Sequence, residues 1–328
     1  MLCYLYCQLQ RSIANRIEEP NYAASVGGDN FGMDNDNFNA VAQNVSTVVD
    51  LLEARGISWG EYQEDMPYSG FEGFGWVNSA GKNDYVRKHN PAILYNANTN
   101  TDRLAKIKNL TMFSTDLKND QLPQWAFITP NMTSDGHDTS VTVAGQWSKN
   151  FLQPLLSDKK FMKKTLVLLT FDENHTYTTG NRVYSILLGD AIPKKLIGTT
   201  DSTSYTHYSE ISTVEANWDL NTLGRWDVGA NIFDFVAQQT KDTNSDWPEL
   251  TGGTPTHFLN QSFAGPFNSK NSSAPYPVPN TKLVRNGRTV LPAICKQWDS
   301  PALQARTYYQ NTNKIPDGLN PPAGWALK

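Results

Sequence analysis

Lys164-Thr-Leu-Val-Leu-Leu-Thr170 runs directly into Phe171-Asp172-Glu173-Asn174-His175. The continuous apolar centre predicts a strand covered on both faces, and the polar residues after it place two carboxylates and an imidazole at the strand's carboxyl end. The same arrangement recurs upstream. Gln124–Pro130 (QWAFITP) predicts a strand, and Asn131-Met-Thr-Ser-Asp135-Gly136-His137-Asp138 follows it. Downstream, Arg182–Gly189 (RVYSILLG) predicts a second buried strand, and Tyr205-Thr206-His207-Tyr208 marks the start of a helix. Apolar residues at helical spacing predict helices over 44–55, 139–157, 208–218 and 227–238. Strand and helix therefore alternate from about residue 120 to 240. That alternation predicts an α/β fold, a three-layer sandwich around a mostly parallel central sheet.

The remainder of the chain is less regular. Residues 58–77 are rich in Gly and aromatics and predict a substrate-side loop or an irregular surface. Residues 241–328 are rich in Pro, Asn and Ser and predict an irregular wrap. The 328 residues are best read as one elaborated domain over 18–240, preceded by an atypical segment over 1–17. Net charge is −4 at pH 7, which lacks the basic footprint of a nucleic-acid binder. No apolar run approaches the ~20 residues of a transmembrane helix. Cys3, Cys7 and Cys295 cannot form a closed disulfide set. The apolar stretch at the N-terminus is short, lacks a preceding basic region and is not recognisable as a signal peptide. Asn44, Asn109, Asn131, Asn174, Asn260 and Asn271 lie in sequons, which permit N-glycans without demonstrating them.

Ligands of parallel α/β sheets bind beyond the carboxyl ends of strands, where the polar clusters fall. Asp172 and Glu173 can reach one cation together, or be solvated turn acids. His137 sits beside Gly136, which allows a tight turn, and between Asp135 and Asp138, which can orient an imidazole. His207 lies at a helix start, where exposed amides favour anions. His89, in Tyr85-Val-Arg-Lys-His89-Asn90-Pro91, suits an oxyanion contact. His175 is an uncertain neighbour of the acid pair, and His257 falls in the tail. Imidazoles beside carboxylates suit metal-assisted or general-acid hydrolysis of a phosphate ester.

The stretches YVRKHNPAILY (85–95), LPQWAFITPNMTSDGHD (122–138), LVLLTFDEN (166–174), NRVYSILLGD (181–190) and TSYTHYSEISTVEANWDLNTLGR (203–225) resemble the fungal phosphate-repressible acid phosphatases. These belong to a phosphoesterase family that also contains bacterial phospholipases C. The resemblance implies an alkaline-phosphatase-like α/β fold, N-terminally incomplete here, and hydrolysis of phosphate monoesters in an extracellular or cell-wall setting. It implies that Asp172, Glu173 and His207 line the phosphate or metal centre, with one or two divalent ions and with Asp135 as a second-choice ligand. It makes His137 a further active-site imidazole and His89 a contact of the substrate. Asn21 would follow the segment that bears the nucleophile.

That segment departs from the family. The pattern is approximately His-Pro-Ser-x-Pro-Asn-Tyr, whereas this chain reads Arg16-Ile17-Glu18-Glu19-Pro20-Asn21-Tyr22, with Glu18 where the Ser nucleophile belongs. A strand and Glu-Asn pair that begin the family have no counterpart either. An altered start of the reading frame and a non-catalytic relative each account for this loss. The resemblance therefore implies an impaired monoesterase. A phospholipase C-like phosphodiesterase and a phosphate-binding pseudo-phosphatase are the alternatives.

Overall fold

A four-stranded and a three-stranded β-sheet, with two two-stranded ribbons beside them, lie between helices on both sides among the described residues. The computed structural model describes residues 5–10, 18–79, 81–175, 181–245, 265–269 and 272–310. Along the chain come β1 (Leu5–Gln10), α1 (Glu18–Gly27) and α2 (Val48–Ala54), then β2 (Trp59–Gln63), β3 (Gly75–Val77) and β4 (Asn83–Val86). Next are α3 (Thr101–Leu104), β5 (Ile107–Asn109), α4 (Thr111–Lys118), β6 (Trp125–Thr129), α5 (Val141–Ser157) and α6 (Lys159–Met162). β7 (Val167–Leu169), β8 (Arg182–Leu188), β9 (Thr199–Tyr205), α7 (Tyr208–Trp218), α8 (Trp226–Gly229) and α9 (Asp234–Thr240) follow. The last elements are β10 (Val284–Arg285), β11 (Arg288–Thr289), α10 (Pro292–Trp298) and α11 (Pro301–Gln304).

The first sheet has the order β5-β2-β6 and is parallel throughout. The second has the order β7-β8-β1-β9. In it β1 runs parallel to β9, while β8 is antiparallel to both β1 and β7. Side-chain alternation sorts the strands between two helical layers. Tyr62, Ile128, Val167, Leu169, Ile186 and Leu188 face α4 and α5, where they meet Phe113, Leu152 and Leu155. Leu166, Leu168, Val183 and Leu187 face the other way, onto α7 and α9 with Ala216, Phe235 and Val236. The larger core packs α1, α2 and α7 against Trp59, and Val290, Leu291, Ile294 and Tyr309 from the C-terminal part join it. This is an α/β sandwich with a parallel central sheet, as the alternation predicts.

Two local expectations need correction. The segment read as a loop over 58–77 contains β2, the centre of the parallel sheet, and its five residues are all buried. The helix expected over 227–238 is two helices, α8 and α9. Between them the Asn231 amide donates to the Ser204 carbonyl at 3.0 Å and pulls the chain out of helical register. β7 is covered on both faces as expected, Val167 and Leu169 on the α5 side and Leu168 on the α7 side, though each is only half-buried. Within the segment over 1–17, Leu5–Gln10 forms β1 between β8 and β9. Cys3, His257, Asn260 and Asn271 lie outside the described residues.

Candidate active site

α1 begins with Glu18 and Glu19, acids placed where a helix N-terminus stabilises negative charge. Three cationic or imidazole groups converge on the Glu18 carboxylate. His89 Nε2 lies 2.7 Å from Oε2, His137 Nε2 lies 2.7 Å from Oε1, and Lys88 Nζ makes an ion pair with Oε2. Lys88 and His89 come from the short 3₁₀ turn that follows β4, and His137 from the turn after β6. At the centre of that turn Gly136 adopts φ +98°, a conformation other residues resist. The Asp135 carboxylate accepts the His137 backbone N–H at 2.7 Å, and its other oxygen lies 3.3 Å from His89 Nδ1. Asp138 lies 2.7 Å from His137 Nδ1. Each imidazole is thus held between Glu18 and a second carboxylate. Tyr22, one turn along α1, stacks on His89 at 5.0 Å between ring centroids.

These contacts set the charges. Burial alone would raise the Glu18 carboxyl, but His89 and Lys88 override it and hold it at about 2. Burial would lower His89, yet Asp135 and Glu18 raise it to about 9, so the ring is a cation at neutral pH. Burial likewise opposes the Lys88 charge, and Glu18 and Asp36 more than restore it.

The second cluster follows β7. Burial lifts Asp172 to about 6, with the nearby Glu18 charge adding to it and His89 opposing. Burial and then the Asp172 charge lift Glu173 to about 8. Asp172 Oδ2 and Glu173 Oε2 are both buried without a hydrogen-bond partner. His207 Nε2 lies 2.8 Å from the Asp172 carbonyl, and Nδ1 lies 3.3 Å from Glu210. Burial opposes protonation of His207, but Glu210 and the Asp172 carbonyl raise its pKa.

One cavity of about 2100 Å³ joins the clusters, and Glu18, Asn21, His89, Asp135, His137, Asp172, Glu173 and His207 all line it. The described residues singled out in the sequence are therefore brought to one cavity. The expected metal set is less well served. Two orphaned carboxylate oxygens would suit a cation, but both His207 nitrogens face protein partners. Among the described residues no three His, Cys, Asp or Glu side chains form a ligating group. In this arrangement His207 positions the Asp172 backbone, and His175 is an exposed neighbour.

Sequence reasoning missed Tyr22, Asp36 and Glu210. It also read Glu18 as a substitution without seeing that the imidazoles close on it. The only signal was the paired acids opening α1 beside a buried Asn.

Residues 15–221 match the Phosphoesterase family. The chain is 54% identical over 269 residues to an acid phosphatase of Aspergillus fumigatus, covering 81% of this chain and 59% of that protein. It is 53% identical over 265 residues to a phosphate-repressible acid phosphatase of Penicillium chrysogenum, covering 80% and 63%. It is 50% identical over 299 residues to a probable acid phosphatase of Kluyveromyces lactis, covering 90% and 69%. The chain thus spans about six-tenths to seven-tenths of the length of these relatives.

Proposed function

The chain belongs to the phosphoesterase family, and from that premise we propose that its site is built to hydrolyse phosphate monoesters but is filled by its own Glu18. The observation that carries this reading is the convergence of Lys88, His89 and His137 on one carboxylate at the start of α1. Two cations and an imidazole at a helix N-terminus form an anion seat. With a hydroxyl nucleophile there, phosphorus would be attacked beside the seat, and Lys88, His89 and His137 would stabilise the charge gathering on the phosphoryl oxygens. Glu18, ionised down to about pH 2, instead repels a phosphate dianion and neutralises the groups that would bind it. The orphaned Asp172 and Glu173 oxygens would take up a proton or hold a cation near the leaving group.

The named activity of the fungal relatives supports the substrate class, and is consistent with an extracellular location. Among the described residues no helix is long and apolar enough to cross a membrane. Surface-exposed Asn44 is open to a glycan, whereas the Asn131 side chain is tied to Asp65 at 2.7 Å and would have to be released first.

The test is Glu18→Ser against Glu18→Ala and the parent chain. The parent should turn over p-nitrophenyl phosphate little or not at all. Both variants should gain inorganic-phosphate binding by calorimetry, and only Glu18→Ser should gain turnover, by at least about tenfold. Robust parental turnover that persists in Glu18→Ala would refute the reading. Phosphate binding in both variants without turnover in either would favour a pseudo-phosphatase.

A further inference from the structure

Six lysines gather at the end of β7 opposite the active site. Lys159-Lys160-Phe161-Met162-Lys163-Lys164 forms α6 and the turn after it, and Lys194-Lys195-Leu196 forms a 3₁₀ turn beyond β8. All six lysines are exposed. The two segments are joined through the backbone, where the Thr165 carbonyl accepts the Ala191 N–H at 3.2 Å. Phe161 packs into the α4 and α5 layer and Leu196 into the α7 and α9 layer, so these apolar side chains turn inward and leave the ammonium groups outside. β7 leads away from the lysines, and Asp172 follows at up to about 25 Å further along the chain.

These charges are not neutralised by the fold. Acids outnumber bases in the chain, 32 to 28. Yet among the described residues only Lys160 of the six has a carboxylate partner, the exposed Asp120 at 3.0 Å. Asp158, next to Lys159 in the chain, accepts the Lys160 and Phe161 N–H groups at the start of α6 instead. Like charges so placed repel one another and raise the local potential. The turn after α6 adds a second feature. The Met162 carbonyl accepts the Thr165 N–H at 3.0 Å, Lys163 lies at φ −59° and ψ 111°, and Lys164 at φ +59°. This is a type II turn, with lysine at the position whose backbone favours glycine.

We propose that this lysine surface docks an anionic polysaccharide, a flexible chain whose repeated charges supply the counter-charge that the fold does not. Charge complementarity selects a polyanion. Lysine at all six positions suits contact with diffuse point charges, whereas recognition of a fixed phosphate would favour the planar fork of arginine. Phe161, the one aromatic ring among these residues, is packed into the core, which leaves no free ring for stacking a nucleic-acid base or for anchoring in a bilayer. The chain as a whole carries −4, so a polyanion is repelled elsewhere and is held at this end. Docking there leaves the Asp172 end of β7 clear, and it works whether or not the Glu18 seat turns over a substrate.

The probe is fluorescein-labelled dextran sulfate, titrated with the full chain and read by anisotropy, with labelled neutral dextran as the blank. Binding should be saturable, absent with neutral dextran, and steep in salt, with log Kd rising against log salt at a slope of about 4 for six lysines on a flexible polyanion. Lys163→Gln combined with Lys194→Gln should weaken binding at least about fivefold at low salt and lower the slope by about 1.5. Lys82→Gln combined with Lys282→Gln removes the same charge from exposed lysines elsewhere and should shift Kd by less than about twofold. Lys164→Gly separates binding from folding. Its urea midpoint should hold or rise, because glycine relaxes the turn, while binding weakens about threefold. The proposal is overturned if dextran sulfate does not bind saturably, if the control pair weakens binding as much as the surface pair, or if Lys164→Gly leaves binding unchanged. A single-stranded oligonucleotide bound more tightly than dextran sulfate would make this a nucleic-acid surface, and phosphatidylserine vesicles bound more tightly would make it a membrane surface. A dimer in sedimentation that the surface pair abolishes would make it a self-association face. Each of these three results overturns the proposal as well.

Discussion

His89 and Glu18 lock each other into opposite charge states, and the lock has a pH signature. Glu18 at about 2 contributes stability that is present above its ordinary 4.5 and lost as pH falls through 2. His89 at about 9 contributes stability that is present below its ordinary 6.5 and lost as pH rises through 9. Glu19, Glu61 and Glu173, each lifted to about 8 chiefly by burial, act in the same direction as His89. The folded state binds more protons than the unfolded one from about pH 4.5 to 9, so stability should fall across that interval. Urea midpoints should be higher at pH 5 than at pH 8.5. A flat or rising profile would show that these carboxyls are ionised in the native state at little cost. Much of this chemistry was legible in the sequence, because Asp172 and Glu173 directly follow an apolar run, His137 sits in a Gly-centred turn beyond another, and His89 follows two basic residues. The internal anion was not legible. Glu18 lies 71 residues from His89, and no local pattern reports a contact made by a helix start against a turn so distant.

At the level of elements, α1 decides whether the site exists. Its first residue delivers Glu18, its next turn stacks Tyr22 on His89, and its last residue, Gly27, abuts a buried ring. A methyl at Gly27 would overlap the Tyr95 hydroxyl, which donates to the Ala23 carbonyl at 2.6 Å and has no free volume to retreat into. Gly27→Ala should therefore cost about 2 kcal/mol or more, as overpacking does, despite the better helix propensity of alanine. A denaturant midpoint equal to the parent's would show that the Tyr95 ring can move aside. α7 was predicted to within its observed bounds because its apolar spacing is undisturbed. β2 escaped detection for the opposite reason. Its Trp59-Gly-Glu-Tyr-Gln63 stretch carries buried Glu61 and Gln63, polar residues that a periodicity reading assigns to solvent. Glu61 resides there by accepting the Ala92 N–H at 3.1 Å, a partner 31 positions away.

For the molecule as a whole, the C-terminal part is structural even though its composition suggests a tail. Tyr308 and Tyr309 both bond the Asp29 carboxylate, which burial raises and these hydroxyls partly lower again. Tyr309 also packs on Trp226 at 4.8 Å between ring centroids. Tyr309→Phe keeps the ring and removes the hydroxyl, and should cost about 1–3 kcal/mol for a buried acceptor left short of a donor. Thermal melting would measure it, and an unchanged midpoint would mean that Tyr308 alone satisfies Asp29. The separation between these partners is 280 positions. During synthesis the first helix leaves the ribosome long before the tyrosines that fasten the segment behind it. Asp29 therefore stays unfastened until synthesis has passed Tyr309, and any shorter nascent chain carries a carboxylate that lacks two of its hydroxyl donors.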